Sequence, residues 1–173
     1  MSAVKIPKEK TAIVLIEPQN DFLTEGGTMY AHIKEQLAER NVIANLKDLL
    51  TQSRGRVAKI FYCPFHPFDP GFPELKKGGP ACEGLRGIEM DMKADWGTGA
   101  WLRGTPGPEI IKELTPQPGD VVVEGKKTLD AFHSPALDYY CAPMKLSMWY
   151  LLDFTPTGAL SPQPVQPTTR ATG

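Results

Sequence analysis

The stretch that most constrains the fold is Thr11 to Phe22, which reads TAIVLIEPQNDF. It begins with the apolar run AIVLI, which is rich in β-branched side chains and too short for a buried helix. Such a run is typical of a central strand in a parallel sheet, whose two faces are both covered. The strand must end at Glu17-Pro18, because proline lacks the backbone N–H that an interior strand uses. The stretch therefore predicts a buried parallel strand over residues 12–16.

Polar side chains follow directly at the carboxyl end of this strand, at Glu17, Gln19, Asn20 and Asp21. In open α/β sheets, ligands bind in the crevice beyond the carboxyl ends of the strands. An acid that a rigid strand places there is a candidate for site chemistry. The same residues also fit a turn in which Asn20 and Asp21 bond to their own backbone. From the residues alone, both interpretations stay open.

Four further segments complete a strand and helix alternation. Apolar residues at helical spacing from about His32 to Ser53 predict one amphipathic crossover helix of roughly five turns. A second strand is predicted over 57–63 and a third buried strand over 121–123, with a short helix at 108–114 between them. This order predicts the α/β class, a parallel sheet flanked by helices with right-handed crossovers.

Composition limits the remaining classes. A chain of 173 residues is expected to form one soluble domain, and its net charge of −1 argues against a nucleic-acid or anionic-membrane surface. No segment approaches the ~20 apolar residues that span a bilayer, and the N-terminus lacks the apolar core of a secretory signal. The cysteines are Cys63, Cys82 and Cys141, an odd set without a CxxC pair. Such a set favours reduced thiols and a cytoplasmic location.

A long irregular segment runs from Pro64 to Thr105, and its length predicts either a functional loop or disorder. Its aromatic side chains favour packing, so a substrate lid or a subunit contact is expected. His66 and Asp69 are close enough in sequence to share a metal. A lone His near an Asp is more often a surface pair, and we expect no metal and no cofactor here.

Lys126 follows the third predicted strand within Gly125-Lys126-Lys127-Thr128. A phosphate-binding loop would need four residues between its glycines and a hydroxyl residue directly after the lysine. Here five residues separate Gly119 from Gly125, and Lys127 occupies the hydroxyl position. A nucleotide site is therefore not expected. The alternative to a functional role for Lys126 is a solvated Lys126-Lys127 pair on the surface.

Two motifs resemble the signatures of the isochorismatase-like cysteine hydrolases. Ile16 to Phe22, IEPQNDF, is similar to the family's I-D-x-Q-N-D-F, with Glu17 in place of the usual aspartate. Lys126 stands six residues before Phe132 of an x-A-F motif, as in the family's second signature. The resemblance implies a Rossmann-like three-layer α/β/α fold.

The resemblance also implies roles for individual residues. Glu17 would be the general base, and Lys126 would assist a cysteine thiolate and the developing oxyanion, as an ammonium near a thiol does. Asp21 matches the family's second acid, which does not transfer the proton. We expect Asp21, Phe22 and Trp96 to contact a small-molecule substrate.

The resemblance ends at about Tyr140. The family's third signature, T-N-x-C-V, which carries the nucleophile, has no match, and Cys141 is only a weak substitute. Residues 146–154, LSMWYLLDF, form an apolar block that fits a strand or an interface. We expect a hydrolase domain over 1–154, incomplete at its C-terminus, followed by a disordered Pro- and Thr-rich tail over 155–173.

Two functions follow from these observations. The resemblance implies a hydrolase of an amide, another C–N bond or a related bond in a small metabolite, in a family whose intact members usually self-associate. By chemistry we expect this chain to be inactive, because the segment that carries the nucleophile is missing. The alternative is a non-catalytic variant that acts through binding or through hetero-oligomers with intact relatives.

Overall fold

The computed structural model describes residues 7–76, 92–126, 137, 139, 140, 144, 146, 148–152 and 163–165. The helices are α1 (Asn20–Leu23), α2 (Tyr30–Glu39), α3 (Val42–Ser53) and α4 (Pro73–Lys76), with 3-10 turns at Lys8–Lys10 and Lys112–Leu114. The strands are β1 (Thr11–Ile16), β2 (Lys59–Cys63), β3 (Lys93–Ala94), β4 (Gly97–Thr98), β5 (Val121–Val122), β6 (Met148–Leu152) and β7 (Gln163–Val165). This described part of the chain contains no helix that is long and apolar enough to cross a membrane.

The main sheet has β1 at its centre. Among the described residues its order is β5-β2-β1-β6-β7. β1 pairs in parallel with β2 on one side and with β6 on the other, and β5 extends the sheet in parallel beyond β2. Ile16 is in register with Cys63, and Leu15 with Leu152, so the carboxyl ends of these strands share one rim. The predicted α/β class, a parallel sheet flanked by helices, is confirmed.

All six residues of β1 are buried, and they fill two separate cores. Ile13 and Leu15 join the cluster that α1, α2 and α3 cover, whereas Ala12, Val14 and Ile16 join the cluster on the opposite face. This division follows from the strand geometry, in which successive side chains point to opposite faces. Each buried aliphatic side chain contributes about 1.5–3 kcal/mol. β1 is therefore a rigid platform for the residues at its end.

The prediction of a single helix from about His32 to Ser53 is wrong, because the chain forms two helices, α2 and α3, over this stretch. The break is at Asn41, whose backbone is left-handed with φ 45° and ψ 45°. Asparagine tolerates this conformation better than most residues. The Asn45 side chain also donates to the Arg40 carbonyl at 2.7 Å and stabilises the new helix start. The turn resets the helical phase, so that both helices place their apolar residues in one core.

Two other predicted elements are shorter than expected. The predicted helix at 108–114 is only the 3-10 turn Lys112–Leu114, because Glu109 and Ile111 use their backbone groups in bonds to Asn20 and Pro18. Among the described residues, β5 lies at the edge of the sheet and pairs only with Phe61 and Tyr62. Its Val122 is 38% exposed, so the expectation of a buried third strand fails there.

The segment from Pro64 to Thr105 is packed where the structure describes it, as its aromatic residues predicted. It contains α4 and the β3–β4 hairpin. Phe65, Phe68 and Phe72 are buried and follow one another in tilted ring contacts at 5.4–5.6 Å. Phe68 forms a parallel bridge with Leu102, which joins the two ends of the segment. Through this packing the segment borders the carboxyl rim of the sheet.

The apolar block at 146–154 supplies β6, which agrees with one of its two predicted roles. β6 lies parallel to β1 and is followed by β7, which pairs with it in antiparallel orientation. β7 falls within the tail that was predicted to be disordered. An uncovered edge of β6 would present unpaired backbone groups, and β7 bonds to them over three residues. The rest of the predicted tail lies outside the described residues.

Candidate active site

Glu17 is the first residue after β1, and its backbone departs from extended geometry. Its φ is 55°, which is uncommon for a non-glycine residue and costs about 1–3 kcal/mol. Two bonds hold it there. Its N–H donates to the Cys63 carbonyl at 3.0 Å, and its own carbonyl accepts from the Gln19 N–H at 2.7 Å across Pro18. The strained turn fixes where the Glu17 carboxylate leaves the rim.

Lys126 lies four residues beyond the end of β5 and meets Glu17 directly. Its ammonium Nζ donates to Glu17 Oε1 in a short ion pair between residues 109 positions apart. The side chains of Lys126 and Glu17 are 0% and 1% exposed. Their predicted proximity at the carboxyl rim is therefore what the structure shows, and the solvated Lys-Lys pair does not describe Lys126.

The surroundings of Lys126 hold its ammonium in place. Nζ lies 4.8 Å from the centroid of the Phe65 ring, in cation–π geometry. The Lys126 carbonyl accepts from the His66 N–H at 2.6 Å, which ties the loop after β5 to the segment after β2. A buried ion pair is costly to desolvate and is retained only when its geometry and contacts compensate. The carboxylate of Glu17 and the ammonium of Lys126 are thus held together in a site from which water is excluded.

Gln19 organises the loops around this pair, and the sequence analysis gave it no specific role. It is 0% exposed. Its Nε2 donates to the carbonyls of Phe65 at 2.9 Å and Pro108 at 2.7 Å, and its Oε1 accepts from the Phe65 N–H at 2.6 Å. One amide therefore joins three parts of the chain. Its place in the IEPQNDF motif was the available signal, but its partners could not be read from the sequence.

Asp21 is fully buried and its carboxylate fastens two loops. Oδ1 accepts from the Thr28 hydroxyl at 2.9 Å, and Oδ2 accepts from the Trp101 backbone N–H at 2.8 Å. Burial raises the pKa of this carboxyl, and the bonds from Trp101 and Thr28 lower it by less. A Cβ at Gly107 would collide with the carboxylate, so only glycine fits beside it. Asp21 thus has a positioning role.

Phe22 and Trp96 are the other residues predicted to contact substrate. Phe22 is buried, with its ring 5.4 Å from that of Trp101. Trp96 is half-buried. Its indole Nε1 does not reach hydrogen-bond geometry with Asp21, but its N–H is near enough to lower the pKa of the Asp21 carboxyl slightly. Trp101, which sequence reasoning missed, stacks on Phe65 at 4.8 Å. Substrate contact by Asp21, Phe22 and Trp96 stays a prediction.

Cys63, at the end of β2, is the one cysteine among the described residues. Cys63 is 1% exposed, and its side chain belongs to the apolar cluster that contains Ile16 and Phe61. Cys82, Cys141 and the Phe132 of the second motif lie outside the described residues.

The residues considered for a metal have other surroundings. Asp69 accepts from Arg103 Nε at 2.6 Å in an exposed ion pair. Within residues 7–76, 92–126 and the short described pieces that follow, no three His, Cys, Asp or Glu side chains form a group that could hold a metal ion. The site chemistry that the described residues offer is that of a carboxylate and an ammonium.

The chain shares its sequence pattern with known proteins. Residues 11–143 match the family model of the isochorismatase domain. The chain is similar to the ureidoacrylate amidohydrolase RutB of Rhizobium rhizogenes, with 26% identity over 126 residues, 69% of this chain and 49% of that protein. It therefore spans about half the length of this curated relative.

Solved structures share the fold. A cysteine hydrolase from Pseudomonas syringae pv. phaseolicola superposes with a TM-score of 0.62 at 19% identity, over 84% of this chain and 60% of that chain. The N-carbamoylsarcosine amidase from Thermoplasma acidophilum superposes with a TM-score of 0.56 at 19% identity, over 83% and 66% of the two chains. At these identities the likeness shows the fold alone.

Proposed function

The chain belongs to the isochorismatase family, and from this premise we propose that its Glu17–Lys126 pair binds the carbonyl group of a small amide. The family match includes both residues. The single observation that carries the proposal is the fully buried ion pair between them. Few other arrangements explain why a chain would bury two opposite charges at the ligand-binding rim of a parallel sheet.

The pair has the chemistry that amide activation needs. A carboxylate such as that of Glu17 can accept a proton from an attacking group, and an ammonium such as that of Lys126 can stabilise negative charge on the carbonyl oxygen. Both effects are larger where water is excluded, because the local dielectric is low. Glutamate in place of the usual aspartate extends the carboxylate by about one methylene. The ion pair with Lys126 supports a working position for it nonetheless.

Hydrolysis by the family's route needs a third group, a cysteine thiol. The resemblance puts that thiol after a fourth strand, and β6 lies beside β1 where such a strand would run. Residues 153–173 contain no cysteine. Cys63 is enclosed by apolar side chains on one face of the sheet. We therefore propose that residues 1–173 bind an amide at the Glu17–Lys126 pair without hydrolysing it through a thiol.

Ureidoacrylate is a suitable probe, because the relative that shares 26% identity is named for it. We expect the native protein to bind ureidoacrylate in a calorimetric titration and to release no product detectable by NMR. Lys126→Met should abolish binding, since it removes the donor to the carbonyl. Lys112→Met, a change at an exposed lysine, should leave binding unaltered.

Thiol reactivity tests the absence of a nucleophile separately. An ordinary cysteine reacts slowly with a thiol probe near pH 6.5, because its pKa is about 8.5. A cysteine that labels fast in the native protein but slowly in Lys126→Ala would oppose the proposal. So would turnover of ureidoacrylate that Lys126→Ala abolishes. Protein that neither binds nor hydrolyses the amide would instead favour a partner role with intact relatives.

A further inference from the structure

Trp101 has two unfavourable features at one residue. It is only 5% exposed, and its indole Nε1 is buried with no hydrogen-bond acceptor among the described residues. Its backbone is left-handed, with a φ of 49°. Buried donors are nearly always satisfied in folded proteins, and strained backbones cluster at functional sites. The coincidence of the two features points to a role beyond packing.

The position of Trp101 connects it to the Glu17–Lys126 pair. Asp21 Oδ2 accepts the Trp101 backbone N–H at 2.8 Å and so holds the strained residue in place. The indole stacks on Phe65 with a centroid distance of 4.8 Å and an interplanar angle of 26°. Lys126 Nζ lies 4.8 Å from the same Phe65 ring. The Phe65 ring therefore contacts both the Trp101 indole ring and the Lys126 ammonium.

Trp96 provides an internal comparison. Its indole Nε1 is also buried without a hydrogen bond, but its N–H lies near enough to the Asp21 carboxylate to lower the pKa of that group. A protein acceptor is thus at hand for Trp96. Nothing equivalent serves Trp101 in the described part of the chain.

We propose that the Trp101 indole N–H donates a hydrogen bond to an oxygen of the amide, an inference that rests on the function proposed above. An indole N–H is a donor only, so its partner must carry an acceptor such as a carbonyl oxygen. The flat rings of Phe65 and Trp101 suit a planar amide or ureido group. Gly99 and Gly104 flank Trp101 with φ of 108° and 86°, so the backbone on both sides can rearrange to admit a ligand.

The indole N–H can be observed directly by ¹H–¹⁵N NMR. Trp101→Phe assigns its cross-peak and keeps an aromatic ring on Phe65, and Trp96→Phe assigns the cross-peak of the neighbouring indole. On saturation with ureidoacrylate we expect the Trp101 indole proton to move downfield, as it does when it gains an acceptor. Trp101→Phe should weaken binding about threefold to tenfold, and Lys112→Met, at an exposed position, should leave it unaltered.

The outcomes separate this inference from the proposed function. If Lys126→Met abolishes binding while the Trp101 cross-peak stays fixed at saturation, the tryptophan role is refuted and the amide site stands. Equal affinity of Trp101→Phe and native protein would refute it as well. If no cross-peak moves and no heat of binding is measured, both proposals fail. Because the shift is measured on native protein, the test does not depend on how well a variant folds.

Discussion

Replacing the buried ion pair one residue at a time should destabilise the protein far more than replacing both residues together. Methionine is a suitable substitute at Glu17 and at Lys126, because it is close to both in length and carries no charge. Each single variant leaves one charge buried without its opposite. Removing one partner of a buried pair typically costs about 3–5 kcal/mol. Lys126→Met also loses the contact with the Phe65 ring, which contributes about 0.5–2 kcal/mol.

The double variant Glu17→Met/Lys126→Met leaves no buried charge. Hydrophobic replacements of a whole buried pair are often neutral or stabilising. We therefore expect the double variant to unfold within about 1 kcal/mol of the native protein, in clear violation of additivity. Both side chains are at most 1% exposed, so solvent screening does not reduce the effect.

Urea unfolding followed by circular dichroism measures these differences. With a slope of about 2 kcal/mol per molar urea, a loss of about 4 kcal/mol lowers the midpoint by about 2 M. Glu109→Gln and Lys112→Met, at exposed positions, should shift it by less than about 0.3 M. Single variants that match the native midpoint, or a double variant that loses the sum of the two, would refute the buried pair.

Three further changes test other parts of the site. Gln19→Glu replaces the donor to the Phe65 and Pro108 carbonyls with a second acceptor, so it should lower the free energy of unfolding in urea by about 2–4 kcal/mol. The control Gln36→Glu, at an exposed position, should lower it by less than about 0.5 kcal/mol. Burial raises the native pKa of Asp21 above 3.8, so the stability that its protonation adds is full below about pH 3.8 and is lost as the pH rises through the native pKa. The native free energy of unfolding should therefore fall relative to that of Asp21→Asn as the pH rises over this window, and a rise would contradict the assignment. The left-handed backbone at residue 41 favours glycine, so Asn41→Gly should stabilise the protein slightly and Asn41→Ala should destabilise it by about 1 kcal/mol. Thermal unfolding measures both changes, and equal melting temperatures for the two variants would contradict this reason.

The parts of the fold that the sequence predicts are those in which one local pattern has one interpretation. The AIVLI run specified β1, since a short β-branched segment ending at proline has few alternatives. The break at Asn41 was missed because apolar residues recur on both sides of it, although the five-residue step from Leu37 to Val42 departs from the three- or four-residue helical spacing. β5 was expected to be buried because a run of valines does not reveal whether another strand covers its edge.

The two charged residues of the candidate site were predictable from the sequence, and the residues that hold them in position were not. Glu17 and Lys126 came from motif resemblance, since no periodicity relates residues 109 positions apart. The roles of Gln19 and Trp101 depend on carbonyls and rings from distant loops. Those partners are set by tertiary packing, and residue type alone does not select them.

The long separation between Glu17 and Lys126 also determines when their bond can form during synthesis. Closing a loop of that length costs about 4 kcal/mol of chain entropy, so the pair cannot start folding and forms only after the strands between them are paired. A ribosome adding about 5–20 residues per second makes Lys126 about 5–20 s after Glu17. Throughout that interval the carboxylate has no ammonium to join and stays hydrated at the end of β1. The nascent chain therefore cannot close its core around this rim until Lys126 has emerged.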